Sequence, residues 1–131
     1  MLALLAVAAA SASCGATTDR LVHAYVKAYN KGDVARLDRR IFAREPAFVW
    51  YSDRGRFNAA AEDRSTLRAF FAARHHAGDR FTLVRLRYNG YRSSDDTGHF
   101  EMTLRRGGRT FAGKGAVACA ERRIAVTSLG R

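Results

Sequence analysis

Ala24-Tyr25-Val26-Lys27-Ala28-Tyr29-Asn30-Lys31-Gly32-Asp33 ends one helix and begins another. Leu21, Val22, Tyr25, Val26, Ala28 and Tyr29 recur at spacings of three and four, as an apolar helix face does, and Thr17 or Thr18 can cap it. Gly32 suits the left-handed residue that closes a helix, and Asp33 suits the cap of the next. That second helix sets Val34, Leu37, Ile41 and Phe42 on one face and Arg36, Arg39 and Arg40 on the other. Pro46 ends it at the latest.

Further along, Ala47–Ser52 reads as a short strand and Asp53-Arg54-Gly55-Arg56 as a turn or loop tip. A third helix is predicted from Asp63 or Ser65 to Gly78, with Leu67, Phe70, Phe71 and Arg74 on one stripe. The period then changes to two. Arg80–Arg92, Gly98–Arg106, Arg109–Cys119 and Arg122–Leu129 are predicted strands, broken only by Ser93-Ser94-Asp95-Asp96, Gly107-Gly108 and Ala120-Glu121. Breaks that short imply hairpins and an antiparallel sheet. The expected fold is α+β: a curved, cone-shaped antiparallel sheet wrapped around three N-terminal helices.

The chain's 131 residues suffice for one domain, and 47% apolar with 11% aromatic residues supports a packed core. Two cysteines exclude a disulfide-dense scaffold and a four-cysteine zinc site. The net charge of +11 comes almost wholly from arginine: only Lys27, Lys31 and Lys114 are lysines. The arginines are scattered rather than striped between aromatics, so nucleic acid is not the expected partner. The field alone favours anionic surfaces such as a lipid membrane or an acidic cell-wall polymer.

Met1 to Ser13 carries no charged side chain and is mostly Leu, Ala and Val. It is shorter than the roughly 20 apolar residues a membrane-spanning helix needs. It matches the apolar region and small-residue cleavage zone of a secretory signal peptide, which makes residues 1–13 a leader and predicts export. The usual basic start is missing, which leaves the true initiator open. Two processed forms are expected alternatives. Cleavage behind Ala10-Ser11-Ala12 releases a soluble domain. Ser11-Ala12-Ser13-Cys14-Gly15 resembles a bacterial lipobox, with Ser11 where leucine is usual, and would lipidate Cys14. Without lipid, Cys14 is available to Cys119 for a disulfide in an oxidising compartment.

The opening stretch, followed by Leu37, resembles the start of the nuclear transport factor 2-like superfamily in its bacterial SnoaL-like branch. The order of elements agrees, including the aromatic strand Phe48-Val49-Trp50-Tyr51 and the helix ahead of a four-strand meander. The resemblance covers residues 18–129 and implies a cone with an apolar pocket open at one end. Members include isomerases, dehydratases, polyketide cyclases, transport factors and domains that bind a ligand or a partner. The fold therefore leaves the activity open. The resemblance also implies that an enzyme of this kind would hold an Asp or His acid/base in the cavity.

Tyr25, Tyr29, Phe48, Trp50, Phe70, Tyr88, Phe100 and Met102 are the expected lining of an aromatic pocket for a small apolar or aromatic ligand; the alternative is that they fill the core. Thr82, Val84, Leu86 and Tyr88 are predicted to face the cavity on one strand, and Phe100, Met102 and Leu104 on the next. His99, Glu101 and Thr103 then face outward, with Glu101 opposite Arg85 or Arg87. Asp38 lies beside Leu37 and Ile41, where burial would raise its pKa towards base chemistry; an ion pair with Arg39 or Arg40 is the alternative. Asp38 and His99 are the catalytic candidates, while His23, His75 and His76 read as solvated. No nucleophile triad, phosphate loop or metal-spaced cluster is legible, and no metal or cofactor is expected.

Two functions remain at this level. One is an exported, non-enzymatic domain that binds a small ligand or an envelope protein. The other is a small SnoaL-like acid/base enzyme, an isomerase, cyclase or dehydratase. A homodimer through the sheet face of Arg85, Arg87 and Glu101 is compatible with the first.

Overall fold

The computed structural model describes the backbone of residues 2–44, 48–53 and 56–130, and the side chains of these except at 48, 50–53 and 56–59. Helix α1 spans Leu2–Lys31, and the short α2, Val34–Arg36, runs directly into a π-turn at Leu37–Ile41. Strands β1, Phe48–Asp53, and β2, Arg56–Ala61, precede helix α3, Arg64–His76. Strands β3, Thr82–Arg92, β4, Thr97–Arg106, β5, Arg109–Ala118, and β6, Arg123–Ser128, follow. The strands form one sheet in the order β2-β1-β6-β5-β4-β3, and α1 packs across β3, β4 and β6.

Helix α1 is continuous from Leu2, so neither Thr17 nor Thr18 caps it; both are buried inside it. Alanine has the best helix propensity of all residues, and nothing between Leu2 and Thr18 stops the helix. Its two halves differ. Cys14, Thr17, Thr18, Leu21, Val22, Tyr25, Ala28 and Tyr29 are buried, whereas Leu2, Leu4 and Leu5 are 87%, 76% and 69% exposed. The end of the helix follows the expected chemistry. Gly32 takes φ +70°, its amide donates to the Tyr29 carbonyl at 3.2 Å, and the Asp33 amide reaches back to Ala28 at 2.9 Å. The Asp33 carboxylate then accepts the Arg36 amide at 3.1 Å. A Cβ at position 32 would meet the His75 ring at 2.6 Å, so glycine also lets α3 come close.

Helix α2 does not continue regularly to Phe42. The Phe42 amide donates to Leu37, a five-residue closure at 3.0 Å, and Phe42 then turns extended and bridges to Ile124. The turn keeps Leu37, Ile41 and Phe42 in the core, each 1% exposed.

The sheet departs from the expected one in three ways. First, Arg56–Ala61 is a strand, paired antiparallel with β1; Arg54 and Gly55 of the expected turn lie outside the described residues. Second, the sheet is mixed rather than purely antiparallel, because Phe48, Val49 and Trp50 run parallel to Val126, Thr127 and Ser128. β1 and β6 are separated by most of the chain, so no hairpin dictates their relative direction. Third, β3 shifts register between Leu83 and Arg85 and between Tyr88 and Gly90. The first bulge moves Thr82 and Val84 off the core face: Thr82 is exposed and Val84 is 49% exposed. Leu83 and Leu86 pack against the core instead. On β4 the alternation is unbroken, with Phe100, Met102 and Leu104 buried and Glu101 exposed, opposite Arg87.

Candidate functional site

The most concentrated buried chemistry lies where α1, α3 and β4 end together. Gly78 at φ +79° closes α3: its amide donates to His75 at 3.0 Å and the Asp79 amide to Arg74 at 3.0 Å. This closure turns Asp79 inward, where it is 8% exposed. Its Oδ1 takes Arg106 Nε at 2.7 Å, while Oδ2 accepts the Tyr29 hydroxyl and lies 3.5 Å from Arg74 Nε. The Arg106 guanidinium also stands over the Phe81 and Phe111 rings at 5.8 and 5.4 Å. Both carboxylate oxygens are thus committed, and the acid ties three elements together.

Two tyrosines respond to this environment. Burial pushes the Tyr29 hydroxyl well above the usual tyrosine range, and its hydrogen bond to Asp79 adds to the rise. Tyr25, fully buried, is raised chiefly by burial and then by the Tyr29 charge, against the pull of Arg106. The Tyr25 hydroxyl makes no hydrogen bond among the described residues. An unpartnered buried hydroxyl costs about 1–3 kcal/mol.

The expected aromatic pocket residues fall in different places. Tyr25, Tyr29, Phe70, Phe100 and Met102 are between 0% and 7% exposed. Tyr25 packs against Tyr29, Phe42 and Phe71 with ring centroids 6.0, 5.4 and 6.2 Å apart, and Tyr29 lies 4.7 Å from Phe81. The side chains of Phe48 and Trp50 lie outside the described residues. Tyr88 is apart from the ring cluster: it lines an open cleft of about 570 Å³ between α1 and β3, with Ser11, Gly15, Thr18 and Leu86. Its hydroxyl donates to the Ser11 carbonyl at 3.0 Å.

The catalytic candidates are not brought together. Asp38 pairs with α3 rather than with Arg39 or Arg40, at 2.5 Å from Arg64 Nη2 and 3.4 Å from Arg68 Nε. His99 stands on the outer face of β4, with Nε2 3.1 Å from the Thr97 hydroxyl. His23 is an exposed neighbour of Asp19 on the first helix. Among the described residues no three His, Cys, Asp or Glu side chains gather as a metal site. The central acid, Asp79, escaped the sequence reading although a signal was present: a lone carboxylate immediately after a helix-closing glycine and before a strand.

Cys14 and Cys119 form a disulfide across 105 residues, with α-carbons 5.3 Å apart. The approach is prepared on both sides. A Cβ at Gly98 would meet Cys14 Sγ at 2.6 Å, so only glycine lets α1 lie this close to β4. On the other side Asp96 accepts the Cys119 amide at 3.0 Å through its carbonyl, and the Ala120 amide at 2.8 Å and the Tyr91 hydroxyl at 2.6 Å through its carboxylate. Lipidation would need the Cys14 thiol that this bridge consumes.

No protein-family model matches the chain, and no curated protein matches it in sequence. Solved structures do match. A protein of unknown function with a cystatin-like fold from Methylobium petroleophilum superposes with TM-score 0.59 at 14% identity, over 86% of this chain and 74% of that one. A protein of unknown function from the DUF3225 family of Pectobacterium atrosepticum gives 0.62 at 22% identity, over 88% of each chain. A nuclear transport factor 2-like protein of unknown function from Silicibacter pomeroyi gives 0.59 at 20%, over 88% of this chain and 94% of that one. Identities this low speak for architecture and not for chemistry. The chain has the α+β fold of the cystatin-like, nuclear transport factor 2-like proteins.

Proposed function

We propose that this chain is an exported binding domain of the nuclear transport factor 2-like fold, held by its Cys14–Cys119 bridge, rather than an acid/base enzyme. The observation that carries this reading is the state of two acids, the buried Asp79 and the half-buried Asp38. Asp79 is spoken for by Arg106, Arg74 and Tyr29, and Asp38 by Arg64 and Arg68. A general base needs a lone pair open towards substrate. These carboxylates point theirs at guanidinium groups.

Export draws support from two features. Residues 2–13 are apolar, stand largely exposed, and end in the small residues a signal peptidase accepts. A disulfide that closes most of the chain persists only in an oxidising compartment. The ligand or envelope partner would meet the domain beside Tyr88, where removal of residues 1–12 takes away the wall of Ala8, Ser11 and Ala12 and frees the Tyr88 hydroxyl.

The test is whether Asp79 acts as structure or is held ready for chemistry. Urea denaturation of Asp79→Asn should show a loss of about 3–5 kcal/mol, as expected when one partner of a buried pair is removed. Carboxylates kept for catalysis commonly cost stability. An Asp79→Asn protein as stable as the parent, or more so, would return the acid/base reading to first place.

A further inference from the structure

We propose that an arginine-walled hollow between the π-turn, the start of α3 and the start of β6 binds a phosphate-type oxyanion. The hollow measures about 290 Å³ and is lined by Arg39, Phe42, Arg44, Arg64, Glu121 and Arg123. Its four arginines come from four separate parts of the fold: the π-turn, the segment after it, the first residue of α3 and the first residue of β6. The convergence is tertiary and no single run of sequence displays it.

The four do not play the same part. Arg64 is built in: it binds the Asp38 carboxylate at 2.5 Å, the Asp38 carbonyl, and the Ala43 carbonyl at 2.8 Å. Its charge is offset and its position fixed. Among the described residues Arg39 and Arg44 have no acid within ion-pair reach, and the Arg123 side chain bonds only the neighbouring Arg122 carbonyl, at 2.9 Å. Glu121 is the acid in the lining. Its Oε1 is occupied by the Arg44 amide at 2.9 Å, which draws the Arg44 segment against the turn before β6.

Three guanidinium groups around one concavity repel one another. An anion with several acceptor oxygens reverses that balance, because planar guanidinium forks bind such oxygens in pairs. A tetrahedral phosphate offers acceptors in three directions at once, which matches donors arriving from three elements. Phe42 turns its ring into the core against Tyr25 and Phe71, and its carbonyl faces Arg64, which helps hold that arginine in the wall. The site goes beyond the binding reading above and stands whether or not the chain is exported.

The experiment titrates inorganic phosphate into the full chain at low salt by calorimetry, for three proteins. These are the parent, Arg39→Gln/Arg44→Gln, and Arg85→Gln/Arg87→Gln, whose changes lie on β3 at the opposite side of the sheet order from β1 and β2. The two variants lose the same charge, and thermal melts confirm that both fold. The hollow variant should bind phosphate about tenfold or more weakly, as loss of charge-assisted hydrogen bonds implies, with the β3 variant unchanged. A second arm measures binding to vesicles of phosphatidylglycerol against phosphatidylcholine. Weaker phosphatidylglycerol binding in the hollow variant alone identifies a lipid headgroup as the source. Equal vesicle binding with lost phosphate binding identifies a soluble phosphate ester. No phosphate binding by the parent, or equal losses in both variants, overturns the proposal.

Discussion

Tyr25 is the residue whose chemistry is least explained by packing. Its ring sits among Tyr29, Phe42, Phe71 and Phe81, yet its hydroxyl has no hydrogen-bond partner there. Removing a hydroxyl that pays no hydrogen bond should help: Tyr25→Phe is expected to raise unfolding free energy by about 1 kcal/mol in urea titrations. The same residue predicts an alkaline effect. Its folded pKa is raised, mainly by burial, so its contribution is fully present below the unfolded value of about 10 and is lost as pH rises above it. Stability of the parent should therefore fall above about pH 10, and Tyr25→Phe should fall less steeply, followed by tyrosinate absorbance alongside unfolding. Tyr29 leaves part of the slope in place, since burial and the Asp79 hydrogen bond raise its pKa too. Equal slopes would mean that Tyr25 reaches solvent or a partner in solution.

Among elements, the contact of α1 with β4 makes the sharpest demand. The Gly98 position faces Cys14 Sγ, the Tyr88 ring and the Thr18 hydroxyl at 2.6, 3.1 and 3.4 Å from an added Cβ. Gly98→Ala should cost about 1–3 kcal/mol by overpacking. In a Cys14→Ala background the same change should cost less, because its nearest obstacle is gone; a double-mutant cycle in urea reads the coupling. A cost unchanged by Cys14→Ala would mean that the helix and the strand are not held together by this bridge. Much at this scale was legible from pattern alone. The Gly32-Asp33 closure, the third helix and the inward face of β4 all follow from periodicity and cap chemistry. What escaped was non-local. A bulge at Val84 flips a face without any local sign, and β2 carries no alternation that separates it from a loop. The parallel β1–β6 pairing joins segments whose partnership only the whole fold decides.

At the scale of the molecule, the candidate site shows the same division. The tyrosines of α1 were legible, but Asp79, Arg74 and Arg106 meet only because three elements end at one place. The Cys14–Cys119 bridge was legible as one of two alternatives, lipid or disulfide, while the arginines around Phe42 meet only in the fold. A scattered surplus of arginine in the sequence becomes, in the fold, clamps on the buried Asp79 and the half-buried Asp38, and one open, positively charged hollow. The bridge bears on the proposed export. It fastens the first buried turn of α1 to the end of β5 just behind Ala10-Ser11-Ala12, so under the proposed export a chain cut there would begin at its own staple. The most direct measurement is intact mass spectrometry, without reductant, of the chain recovered from its host after separation into exported and cytosolic fractions. The account predicts a chain that starts at Ser13 and is two hydrogens lighter than its reduced form. An unprocessed chain with two free thiols, found in the cytosol, would contradict it.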